Sequence, residues 1–132
     1  MKLINNITEN FIEILNSDST IDCYKVERGK LTNSVYNQIS ELSHGTNCVY
    51  FLYDDREPKT DSFKRHIYIG ETTNIYNRMI DHDRRKDWWT HVVIFTGDKR
   101  KFDETTICAL EHLLIDQFSV SNRYDLCNSQ GS

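Results

Sequence analysis

The chain has 132 residues, 38% hydrophobic and 27% charged, which suits one globular domain with its own core and favours neither disorder nor a membrane span. Its formal net charge of −4 weighs against a nucleic-acid partner until the charge is divided along the sequence. Residues 64–101 carry nine Lys/Arg against five Asp/Glu, whereas 1–63 and 102–132 are each net −4. Phosphate affinity follows local potential, so this basic stretch keeps that class of partner open, although a solvated basic face has the same composition.

Met1-Lys2-Leu3-Ile4 passes directly into Asn5-Asn6. No apolar run approaches the roughly 20 residues of a bilayer crossing, so a cytoplasmic chain without a membrane partner is expected. Ile4, Ile7, Phe11, Ile14 and Leu15 recur with a helical period and predict an amphipathic helix over 4–16. Leu31, Val35, Ile39 and Leu42 predict a second, with Thr32 or Asn33 as N-cap and Gly45 just past its end. Neither carries a chemical motif, and both are expected to pack on a core that follows them or on another subunit.

Cys48-Val49-Tyr50-Phe51-Leu52-Tyr53 and His66-Ile67-Tyr68-Ile69-Gly70 are runs of β-branched and aromatic residues, and they read as strands. The charged, proline-containing segment 54–62 between them reads as an exposed loop. A helix should follow Gly70, capped by Thr73 or Asn74, with Ile75 and Met79 on one face and Arg78 and His82 sharing a neighbouring one. Trp88-Trp89 follow the basic run Arg84-Arg85-Lys86. Such a pair can stack on bases, but adjacent large aromatics more often anchor a core, and burial of at least one is expected. His91 to Phe95 reads as a third strand, with a turn at Gly97-Asp98.

The last long helix should begin after Asp103, with Phe102 and Ile107 spaced as a hydrophobic staple. Its apolar stripe is Ile107, Leu110, Leu114 and Phe118, and Glu111 falls on that stripe while Asp116 falls away from it. A carboxylate facing a core is costly unless it meets a cation, a metal or a cleft, so Glu111 is a candidate metal ligand or the partner of a cation such as Arg78. Cys23, Cys48, Cys108 and Cys127 form no C-x-x-C pair. The four-residue spacings of Cys108 with His112 and of His44 with Cys48 would admit a structural zinc, but they are not those of a finger or ribbon.

Val49-Tyr50, then Tyr68-Ile69-Gly70-Glu71-Thr72, then Arg78, His82, Glu111 and a late Asn resemble, in that order, the signature of the GIY-YIG nuclease family. Cys48 stands where the family motif has its first glycine, and the loop between the tyrosines is longer than usual. The resemblance implies an α+β fold, a small three-stranded antiparallel sheet flanked by helices. That would make 46–132 the nuclease domain and 1–45 an N-terminal two-helix extension.

It also implies roles. Tyr50 takes the proton of the attacking water, Tyr68 orients water or phosphate, Arg78 stabilises the charge that develops on phosphorus, and His82 supports the base. Glu111 holds a single Mg²⁺ or Mn²⁺, and Asn128, with Asn122 as its rival, packs near the site. Lys64, Arg65, Thr72, Arg84, Arg85 and Lys86 are the candidate substrate contacts. The expected activity is metal-dependent endonucleolytic hydrolysis of DNA, by a homodimer or with a partner protein that delivers substrate. The alternative is a non-catalytic nucleic-acid-binding or protein-interaction domain that keeps the fold. The residue types suit the first chemistry: an Arg donates two hydrogen bonds to phosphate, and a lone carboxylate suits a hard cation that keeps its waters. A free tyrosine ionises only near pH 10, so a phenol acting as base needs a neighbour that favours loss of its proton.

Overall fold

The computed structural model describes residues 21–30, 47–56, 65–97, 102–121 and 124–127. The helices expected over 4–16 and 31–42, most of the 54–62 loop, and Lys64, Asn122 and Asn128 lie outside the described residues. In chain order the elements are β1 (Ile21–Glu27), a 3-10 turn (Arg28–Lys30), β2 (Cys48–Tyr53), β3 (Arg65–Thr72), α1 (Ile75–Arg85), β4 (His91–Gly97), α2 (Glu104–Ser121) and β5 (Tyr124–Leu126).

The strands form one sheet in the order β1-β4-β2-β3-β5. Pairing is antiparallel except between β3 and β5, which run parallel. The expected three-stranded antiparallel sheet is therefore corrected to a five-stranded mixed sheet within the same α+β class. The central three strands are those predicted, and both edges are additions. β1 is an edge strand with Asp22, Lys25 and Glu27 exposed, and charges of this kind, which discourage edge pairing, dilute the apolar alternation that marks a strand. β5 has only three residues, too few to show a period.

Burial on both faces explains the unbroken apolar run of β2. Tyr50 and Leu52 join Ile75 and Met79 of α1, together with Tyr68, Ile94 and Trp89. Val49, Phe51 and Tyr53 point the other way, onto Ile107, Leu110, Leu114 and Phe118 of α2. At about 1.5–3 kcal/mol for each large apolar side chain fully buried, that four-residue stripe is the main attachment of α2. The helix begins as expected, with Asp103 accepting from the Thr106 amide at 2.9 Å and Phe102 buried in the same cluster as Ile107. Trp89 is the buried member of the tryptophan pair, and Trp88 is half-buried beside the same cluster. No described helix is long and apolar enough to cross a membrane.

Candidate active site

Register brings the first two groups together. Tyr50 on β2 lies opposite Gly70 on β3. A Cβ at Gly70 would sit 2.6 Å from the Tyr50 hydroxyl and 2.7 Å from its Cζ, so the glycine is what lets this phenol lie across β3. Gly70→Ala should displace the Tyr50 ring at a cost of about 1–3 kcal/mol, read as a lower Tm together with an altered near-UV tyrosine signal.

The helix after Gly70 brings the other two. Thr72 accepts from the Asn74 amide at 3.0 Å, and Asn74 caps α1 by accepting from the Asn77 amide at 3.2 Å. Ile75, Met79 and His82 are the buried residues of α1. Arg78, one turn before His82, reaches both tyrosines: its Nε donates to the Tyr50 hydroxyl at 3.2 Å and its Nη2 to the Tyr68 hydroxyl at 3.3 Å. Asp81 steadies the guanidinium from 3.5 Å.

His82 is fully buried, with Nε2 2.7 Å from the Tyr50 hydroxyl and Nδ1 without a partner. Burial, and then the charges of Lys86 and Arg78, push the imidazole down to about 3, so it is neutral at neutral pH. Arg78 donates to the Tyr50 oxygen, and the direction of the Tyr50–His82 bond follows the imidazole tautomer. A donor on the phenolic oxygen favours its anion. Burial nonetheless outweighs it and raises Tyr50 above its ordinary value of 10.0, so the isolated protein keeps the phenol protonated.

Of the predicted substrate contacts that lie among the described residues, Lys86 reaches the cluster, its Nζ 4.6 Å over the Tyr68 ring. Burial, then Arg78 and Arg85, lower its pKa. Arg85 pairs with Asp81 at 3.4 Å, and Arg84 is exposed on the last turn of α1. Thr72 is engaged in starting α1. Arg65 sits at the far end of β3 from Gly70 and donates to the Arg56 carbonyl at 3.2 Å.

Glu111 does not join this group. Among the described residues neither a hydrogen bond nor an ion pair links it to Tyr50, Tyr68, Arg78 or His82, and Arg78 pairs with Asp81 instead. Glu111 is half-buried on α2, and burial, followed by the charge of Glu71, raises its carboxyl. Glu71 is the residue that sequence reasoning missed. It directly follows Gly70, and strand alternation turns it to the α2 side of the sheet. An acid at the end of a strand that already carries a site residue was the available signal.

Beside Glu71 opens a cleft of about 320 Å³ lined by Asn47, Cys48, Glu71, Thr72, Glu104 and Ile107. Cys48 is fully buried there and its thiol is pushed up to about 12, chiefly by burial, which makes it an inert packing residue. Glu111 and Glu71, two carboxylates close enough for the charge of one to raise the other, are the described groups that would hold a hard divalent cation. Among the described residues no group of three or more His, Cys, Asp or Glu side chains is placed to hold a metal, so such an ion would keep most of its coordination to water and substrate. Comparison with protein-family models, with curated proteins and with solved structures gave no match.

Proposed function

We propose that this chain is a metal-dependent DNA endonuclease of the GIY-YIG type, acting in the cytoplasm as a homodimer or with a partner that delivers DNA. The observation that carries the reading is the Tyr50 hydroxyl, which collects His82 at 2.7 Å and Arg78 at 3.2 Å from a helix that starts 25 residues later. In this reading Tyr50 accepts the proton of the attacking water as its phenolate, which His82 and Arg78 stabilise. Tyr68 orients the phosphate, and Arg78 and Lys86 offset the negative charge that builds on phosphorus. Bound Mg²⁺ or Mn²⁺, held by Glu111 with Glu71, would supply Lewis-acid charge for the phosphate oxygens.

The test is digestion of supercoiled plasmid with Mg²⁺, with chelator, and with Glu111→Ala. Cutting is expected in the first case only. Nicking that persists in Glu111→Ala would remove the metal role from that residue. A second reading, a binding domain that keeps the fold, is favoured by one observation: Tyr50 is 0% exposed. Under it the protein retards plasmid in a gel, yet the DNA stays uncut with every divalent metal.

A further inference from the structure

We infer that Arg28, on the turn leaving β1, is a positioning residue for His82. The inference rests on the reading of Tyr50 and His82 as the base and its support. Arg28 spends its whole guanidinium on the chain immediately after His82. Its Nε pairs with the Asp83 carboxylate at 2.5 Å, its Nη2 donates to the Asp83 carbonyl at 2.8 Å, and its Nη1 donates to the Trp89 carbonyl at 3.1 Å. The guanidinium also lies 4.6 Å over the Trp89 ring. That indole in turn donates from Nε1 to the His82 carbonyl at 3.3 Å, and the Arg28 amide donates to the Thr90 carbonyl at 2.8 Å.

An exposed arginine–aspartate pair contributes little to stability, and Asp83 is 57% exposed. The three-nitrogen grip on two carbonyls and a carboxylate does something else: it fixes where the backbone that follows His82 lies. β1, an edge strand far from the phenols in sequence, thereby reaches the imidazole through α1. Only a planar fork of donors can make these bonds at once, so lysine does not substitute.

The experiment compares full-length wild type with Arg28→Lys, Arg28→Ala and Trp89→Phe, using plasmid cleavage and the NMR resonances of the His82 ring, assigned by their loss in His82→Gln. In all three variants kcat should fall about 10–100-fold with KM unchanged, and the His82 ring resonances should move. Arg28→Lys, which keeps the charge and most of the bulk, serves as the deciding variant if Arg28→Ala fails to fold. His82 resonances that stay in place in folded Arg28→Lys and Trp89→Phe would overturn the inference. The ring resonances report without catalysis, so a wild type that does not cut would sink the nuclease reading while leaving this arm able to decide the positioning role.

Discussion

Arg78→Ala should remain folded and cut plasmid about 10³-fold more slowly than wild type, a loss of about 4 kcal/mol of transition-state stabilisation. Retention of the fold follows from its surroundings. The side chain is 27% exposed and its ion pair with Asp81 is long, so removing it takes away little stability, and Tyr50 keeps its bond to His82. The loss of rate follows from its reach, because one guanidinium joins both phenols of the proposed site. Arg78→Lys should recover little of it, since a single ammonium cannot donate to Tyr50 and Tyr68 in two fixed directions. The checks are single-turnover cleavage at saturating enzyme and a melting curve. A folded Arg78→Ala that cuts at the wild-type rate would take the guanidinium out of the chemistry.

The pairing of Arg78 with His82 was legible in the sequence because it rests on local rules, whereas the two tyrosines were joined to it by the family resemblance. Strand alternation places Tyr50 and Tyr68 on one face, a four-residue helical step pairs Arg78 with His82, and a capped helix start fixes where that step begins. Glu111 was legible as an anomaly on an apolar stripe, but its neighbour was not. Whether the cation beside it would be Arg78 depended on which side of the sheet α2 packs, and that is a long-range fact; α2 packs opposite α1, and Glu71 is what it meets. The sheet was legible in its centre for the same reason. Doubly buried strands such as Cys48–Tyr53 are written as apolar runs, whereas β1 and β5 are held by pairing with β4 and β3 and carry little pattern of their own. Arg28 illustrates the limit most clearly: one arginine among several, it acquires a role only when β1 pairs with β4 and brings it against Asp83, 55 residues away.

Tyr50→Phe should abolish detectable cutting while keeping the ring, and the wild-type pH profile should say why. In the proposed role of general base Tyr50 would work as the phenolate, and the fraction ionised grows tenfold per pH unit at any pH below its pKa. Burial holds that pKa in the free protein above the ordinary 10.0. The profile of kcat/KM reports the free enzyme, so its logarithm should climb by about one per unit from about pH 6 to pH 9 without reaching a plateau. His82 cannot produce that slope, because an imidazole pushed down to about 3 has already lost its proton across the whole range. Tyr50→Phe removes the partner of both His82 Nε2 and Arg78 Nε, so a buried imidazole nitrogen and a half-buried guanidinium nitrogen lose the hydroxyl they share. A loss of about 1–3 kcal/mol in stability should therefore accompany the loss of activity. Single-turnover rates across the pH range, at fixed ionic strength and saturating Mg²⁺, make the measurement. A wild-type profile that is level between pH 6 and pH 9 would assign proton abstraction to some group other than this phenol.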